Sequence, residues 1–123
     1  MKKILIVEDD TFLKNLAAKK LSSEGYEVTT ASNSEEASTA IEKEVPDLVL
    51  LDLLFPGNTD GFGILKKIRE NIHLADTPVI IFSNLSDEKD MAKANDLGAT
   101  DYMVKSNFTL DELVEKVKSV IAI

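Results

Sequence analysis

The 123-residue chain contains no cysteine. A disulfide framework, a thiolate nucleophile and any cysteine-based zinc or iron–sulfur site are therefore excluded. Histidine is almost as scarce: His73 stands alone, so a haem or zinc centre built on imidazole has no ligand set. Of 14 basic residues only Arg69 is an arginine. The side chain best suited to phosphate and base-edge contacts is nearly missing, no basic stripe forms, and direct nucleic-acid binding is disfavoured. Long apolar runs are missing too. Ile4-Leu5-Ile6-Val7, after Met1-Lys2-Lys3, is too short for a signal peptide or a membrane span and runs straight into acidic residues. A cytoplasmic location with no membrane partner is the expectation. Five glycines, three prolines and 29% charged residues rule out collagenous, low-complexity and wholly disordered classes.

What is present is a surplus of acid, 22 Asp+Glu against 14 Lys+Arg for a formal charge of −8. Most of these carboxylates are expected to serve solubility. The length is near the modal domain size, so residues 1–123 are read as one domain. The chain stops soon after its last helical segment, so no output domain is expected.

Periodicity divides the chain into alternating strands and helices. Ile4-Leu5-Ile6-Val7, Leu48-Val49-Leu50-Leu51, Val79-Ile80-Ile81-Phe82 and Tyr102-Met103-Val104 are short unbroken apolar runs, the form of strands buried on both faces. Glu27-Val28-Thr29-Thr30 is more polar and reads as an edge strand. Helical spacing joins Phe12/Leu13/Leu16/Ala17/Leu21, Ala37/Ala40/Ile41, Leu65/Ile68/Ile72, Met91/Ala94 and Leu110/Leu113/Val114/Val117/Ile121. Gly25 and Gly98 suit left-handed positions after helices, Thr109 with Glu112 makes a capping box, and Ser86 is expected to cap the fourth helix. Five β-α units with right-handed crossovers predict an α/β fold, a five-stranded parallel sheet with helices on both faces; the expected strand order, 2-1-3-4-5, is taken over from a common doubly wound arrangement. Phe62 and Phe108 are read as packing residues beside loops, and His73 as exposed.

Ligands on such sheets bind outside the carboxyl ends of the strands. Strand one runs out into Glu8-Asp9-Asp10, strand three into Asp52, strand four into Ser83 and strand five into Lys105. Carboxylates about 4 Å apart repel by about 4 kcal/mol per pair at an effective dielectric near 20. A hard divalent cation relieves that repulsion, and Mg²⁺ fits a site of carboxylates, a backbone carbonyl and waters. Asp52 could then act as a carboxylate nucleophile toward a phosphoryl group. Mg²⁺, the Lys105 ammonium, the Ser83 hydroxyl and backbone N–H groups would spread the charge on the transferring oxygens. No phosphate-cradling glycine loop exists, since Gly61-Phe62-Gly63 does not follow strand one. The phosphoryl group is therefore expected from a donor and not from a bound nucleotide. Asp10 is read mainly as a helix cap.

These segments, taken in order with Pro46-Asp47 ahead of strand three, Leu53-Leu54-Phe55-Pro56-Gly57 after Asp52 and Gly98-Ala99-Thr100-Asp101 ahead of strand five, resemble the receiver domains of bacterial two-component response regulators. The resemblance is collinear over essentially the whole chain. It implies a flavodoxin-like receiver fold and a phosphorylation-controlled signalling switch, with Asp52 as phosphoacceptor. Glu8 and Asp9 would hold Mg²⁺ with Asp52 and the Leu54 carbonyl, while Ser83, the Asn84 backbone and Lys105 would contact the phosphoryl group. Ser83 and Tyr102 are implied as a switch pair: on phosphorylation the Ser83 hydroxyl moves to the phosphoryl group and Tyr102 turns into the space vacated. The implied donor is a histidine kinase or a histidine phosphotransfer protein. The implied output is a downstream protein target bound through helix 4, strand 5 and helix 5, by a monomer or a phosphorylation-dependent homodimer. Catalysis is confined to the chain's own phosphorylation and dephosphorylation.

Three departures from the family pattern stand out. The loop Pro56-Gly57-Asn58-Thr59-Asp60-Gly61 is one residue longer than usual. Asn84 replaces a small residue, and its amide either narrows the mouth of the site or bonds a phosphoryl oxygen. Ser106 replaces a proline, and since a cis bond before a non-proline costs about 3 kcal/mol, a trans Lys105–Ser106 bond is expected. Leu54 and Leu85 put apolar groups where polar ones could position an attacking water, which predicts slow self-dephosphorylation. Three other classes compete. A receiver-like interaction module without phosphate regulation would lose the acidic pair, Asp52 or Lys105, and all are present. A Mg²⁺-dependent aspartyl phosphatase wants an acid two residues after the nucleophile, where Leu54 stands. A flavin carrier needs hydroxyl or glycine donors after strand one, and Glu8-Asp9-Asp10 would repel its phosphate.

Overall fold

Three central strands buried on both faces set the architecture. The computed structural model describes residues 1–55 and 60–122. Its elements are β1 (Lys3–Val7), α1 (Thr11–Ser23), β2 (Glu27–Ala31), α2 (Ser34–Lys43), β3 (Leu48–Leu51), α3 (Gly61–Glu70), β4 (Val79–Ser83), α4 (Glu88–Asp96), β5 (Asp101–Val104) and α5 (Leu110–Val120). A 3₁₀ turn, Lys105–Asn107, joins β5 to α5. The strands form one parallel sheet in the order β2-β1-β3-β4-β5, the order expected by analogy with doubly wound folds.

Because side chains alternate across a strand, each central strand feeds two cores. Ile4 and Ile6 of β1, Leu48 and Leu50 of β3, and Ile80 and Phe82 of β4 pack with Ala17 and Leu21 of α1 and Leu113, Val114 and Val117 of α5. Leu5 and Val7, Val49 and Leu51, and Val79 and Ile81 face the other way, onto Ala37 of α2, Ile64, Leu65 and Ile68 of α3, and Ala94 of α4. Each fully buried aliphatic side chain contributes about 1.5–3 kcal/mol. The sheet is thereby fixed between two helical layers, and its polar groups are confined to its ends.

Local signals also match. Gly25 and Gly98 carry φ of 102° and 98°. Asp10 caps α1 by accepting from the Leu13 N–H, and Thr109 and Glu112 form the capping box of α5. The lone arginine is a clamp: Arg69 Nε donates to the Gly98 carbonyl at 2.9 Å, and Nη1 donates to the Leu74 and Thr77 carbonyls at 3.0 and 2.7 Å. It ties the end of α3 to the entry of β4 and the turn after α4.

Several expectations need correction. Phe12 and Leu16 are exposed on α1, because the buried stripe of that helix is taken by Leu13, Ala17 and Leu21, four residues apart. Ile72 lies beyond α3, which ends at Glu70, and is exposed. The fourth helix is capped by Asp87, which accepts from the Lys89 N–H, and not by Ser86. β5 is an edge strand on which only Met103 is fully buried. Phe62 packs half-buried against the core, whereas Phe108 is exposed. His73 is exposed, as expected.

Candidate functional site

Strand register builds the site. Val7 is level with Leu51 across β1 and β3, so the next residues, Glu8 and Asp52, leave the sheet side by side. The sheet ladder continues into both, through Glu8 N–H to the Ala31 carbonyl at 2.9 Å and Asp52 N–H to the Val7 carbonyl at 3.0 Å. Ser83 is level with Val104 across β4 and β5, which brings Lys105 to the same edge.

Glu8 and Asp52 are 4% and 5% exposed, far below what ionised carboxylates accept without partners. Lys105 supplies the counter-charge. Its Nζ lies 2.5 Å from Glu8 Oε1 and 2.7 Å from Asp52 Oδ2. The second oxygens are used as well: Glu8 Oε2 accepts from the Asp10 N–H at 3.1 Å and Asp52 Oδ1 from the Leu54 N–H at 3.0 Å. One ammonium shared by two buried carboxylates is an incomplete neutralisation. Burial pushes the Glu8 carboxyl up to about 7, opposed by its hydrogen bond from Lys105 and assisted by the charge of Asp52. Burial alone would lower the Lys105 pKa, but its hydrogen bonds with Asp52 and Glu8 outweigh this and raise it.

Asp9 completes the cluster. One carboxylate oxygen from each of Glu8, Asp9 and Asp52 falls within 4.8 Å of the others. An all-oxygen, strongly anionic donor set suits a hard divalent cation with room for waters. The residues therefore fit Mg²⁺.

The remaining predicted residues are arranged differently. Ser83 is fully buried at the end of β4, and its Oγ accepts from the Leu85 N–H at 3.3 Å. Tyr102 is half-buried against the core, and its hydroxyl donates to the Leu85 carbonyl. The two residues of the expected switch pair thus meet the same residue, one at its N–H and the other at its carbonyl. Burial raises the Tyr102 pKa, with help from the charges of Asp90 and Asp52. Asn84 is exposed at the rim. Leu54 has an exposed side chain and forms an isolated antiparallel bridge with Asp60, a contact no periodicity could announce. No peptide bond is cis among the described residues, so Lys105–Ser106 is trans as expected. The extra residue of the 56–61 loop falls in 56–59, outside the described residues.

Fold and site together define a doubly wound α/β domain with an anionic pocket at the carboxyl edge of its sheet. The model of the response regulator receiver domain matches residues 4–118. The chain belongs to that family. It is 38% identical over 120 residues, 98% of its length, to a probable transcriptional regulator, ycf27, of Cyanophora paradoxa, covering 48% of that protein. It spans about half the length of the curated relatives it matches. Among solved structures it resembles chemotaxis protein CheY4 of Vibrio cholerae, with 27% identity, a TM-score of 0.90 and coverage of 98% and 99% of the two chains. It also resembles the Mn²⁺-bound form of response regulator Rcp1, with 25% identity, a TM-score of 0.85 and coverage of 100% and 97%. Receiver domains are phosphorylation-based signalling modules and not conventional enzymes. They bind Mg²⁺ in an acidic pocket, and response regulators interact with histidine kinases and downstream targets. Among the described residues no helix is long and apolar enough to cross a membrane.

Proposed function

We propose that this receiver unit, read over residues 1–123, takes a phosphoryl group on Asp52 from a phosphohistidine of a histidine kinase or phosphotransfer protein. The observation that carries this reading is the half-buried Lys105 ammonium shared between the buried Glu8 and Asp52 with Asp9 alongside. Glu8, Asp9, Asp52 and the Leu54 carbonyl would hold Mg²⁺. When bound, Mg²⁺ supplies charge neutralisation for the incoming phosphoryl oxygens and relieves the repulsion among the three carboxylates. The Rcp1 neighbour in its Mn²⁺-bound form supports a divalent cation here.

In the transfer, a carboxylate oxygen of Asp52 forms a bond to phosphorus as the P–N bond to the donor imidazole breaks, the bonding pair returning to that nitrogen. Lys105 keeps its proton throughout and neutralises one phosphoryl oxygen. The Ser83 hydroxyl and the Asn84 backbone N–H donate to the others. Movement of the Ser83 hydroxyl toward the phosphoryl group pulls on its 3.3 Å bond from the Leu85 N–H, and the Leu85 carbonyl also holds the Tyr102 hydroxyl. This shared anchor supports Ser83 and Tyr102 as the switch, and the face of α4, β5 and α5 as the surface read by a downstream protein. Leu54 and Leu85 put apolar groups where polar ones could orient an attacking water, so self-dephosphorylation is slow. The reading places the protein in the cytoplasm.

The test is intact-mass measurement after incubation with acetyl phosphate and Mg²⁺, under conditions that preserve an acyl phosphate. Wild type gains one phosphoryl group and Asp52→Asn gains none. No gain in wild type would refute the proposal.

A further inference from the structure

Gly61 opens α3 and is buried. Its φ is not positive, unlike those of Gly25 and Gly98, so backbone conformation does not demand glycine there. Space does. A Cβ at this position would lie 2.4 Å from Leu53 Cα, 2.7 Å from the Asp52 carbonyl oxygen and 2.9 Å from the Leu53 carbonyl carbon. All three are backbone atoms, so no change of rotamer relieves the contact. The first turn of α3 is seated directly on the peptide that follows Asp52.

Other contacts hold the same seat. Leu54 is bridged to Asp60, and Asp60 caps α3 by accepting from the Phe62 N–H at 2.9 Å. On its other side the segment is held to the sheet through the Asp52 N–H and the Val7 carbonyl. Within it, the Leu54 N–H donates to Asp52 Oδ1. The backbone that carries the Asp52 carboxylate is thus held between β1 and the first turn of α3.

We propose that Gly61 is a positioning residue: by lacking a side chain it lets α3 rest on the Asp52–Leu53 backbone, and that contact aims the Asp52 carboxylate and the Leu54 carbonyl. The inference rests on the Mg²⁺ and phosphoryl reading of the site given above. An alanine would push the segment or the helix away by roughly 1 Å to reach an ordinary carbon–carbon separation of about 3.5 Å. Displacements of that size are costly where reacting and ligating groups must be held in place.

Gly63 is the internal control, since a Cβ there meets nothing within 4 Å. The experiment compares wild type, Gly61→Ala and Gly63→Ala by calorimetric titration with Mg²⁺, by phosphorylation rate with acetyl phosphate at saturating Mg²⁺, and by exchange of the Leu54 amide in Mg²⁺-free protein. Gly61→Ala is expected to bind Mg²⁺ about tenfold more weakly, to stay slow at saturating Mg²⁺ and to exchange the Leu54 amide faster. Gly63→Ala is expected to match wild type in all three. If Gly61→Ala does not fold, Asp60→Ala loosens the same seat without adding an atom. Asp60 is not in the acidic cluster, yet its loss is expected to weaken Mg²⁺ binding several-fold and to speed Leu54 exchange. Wild-type affinity and exchange in folded Gly61→Ala, or in Asp60→Ala in its place, would overturn the proposal and leave the function intact. Failure of wild type to bind Mg²⁺ would overturn both.

Discussion

Lys105 and Lys116 make the same kind of ion pair in opposite surroundings. The Lys105 side chain is 14% exposed, and the side chains of its partners Glu8 and Asp52 are 6% and 5% exposed. Lys116 lies 2.8 Å from Asp101, with both side chains 38% exposed. At the surface, water solvates each charge almost as well as its partner does, and the median exposed pair contributes about 0–1 kcal/mol. At the carboxyl edge of the sheet Glu8 and Asp52 are largely shielded from water, so two carboxylates depend on one ammonium and any loss of balance is felt. The effect on titration follows. Partial burial works to raise the Asp101 carboxyl, but hydrogen bonds from Lys116 and the Tyr102 N–H hold it below the usual carboxylate range. Glu8, with a comparable partner, is pushed up to about 7 because burial wins. A charge cluster becomes a cation-seeking site through its isolation from water, more than through the number of its acids.

The largest expected effect comes from removing the shared cation. Lys105→Met leaves two buried carboxylates facing each other and should lower metal-free stability by about 3 kcal/mol in urea unfolding. A loss no larger than that of a surface variant would break the comparison.

Next comes pH. A carboxyl whose pKa is raised on folding binds its proton more tightly in the folded chain than in the unfolded one. Its contribution is therefore fully present below about pH 4.5 and is lost as pH rises toward about 7. In metal-free protein this should cost about 2 kcal/mol over that window, after allowance for solvent screening. Glu8→Gln should flatten the dependence, and an unchanged slope would remove Glu8 as its source.

Mg²⁺ should reverse part of that loss. At about ten times its Kd it should stabilise the fold by about 1.4 kcal/mol, seen as a rise in Tm. Asp9→Asn should show less than half of that rise at the same Mg²⁺ concentration, and an equal rise would take Asp9 out of the metal site. Smallest of all, Lys116→Met should change stability by less than about 1 kcal/mol, which sharpens the contrast with Lys105.

Much of this contrast was legible in the sequence. Strands buried on both faces appear as unbroken apolar runs, and parallel strands put their carboxyl ends at one edge, so Glu8, Asp9, Asp52 and Lys105 could be gathered before any coordinates. What escaped was tertiary or locally degenerate. Phe12 and Leu16 fit a helical apolar stripe as well as Leu13 and Ala17 do, and only packing against the sheet separates them. Ser86 and Asp87 are both good caps, so one residue of register decided the outcome. Edge placement hid the exposure of β5. The Leu54–Asp60 bridge and the seat of Gly61 on Asp52–Leu53 involve no repeat or motif that a linear reading could detect.

The most direct test of the central claim is to locate the phosphoryl group. Protein treated with acetyl phosphate, with and without Mg²⁺, is reduced with borohydride and mapped by peptide mass spectrometry, which converts an acyl phosphate on aspartate to homoserine. The account predicts homoserine at position 52 alone, and only when Mg²⁺ is present. Conversion at another carboxylate, or equal conversion without Mg²⁺, would contradict it.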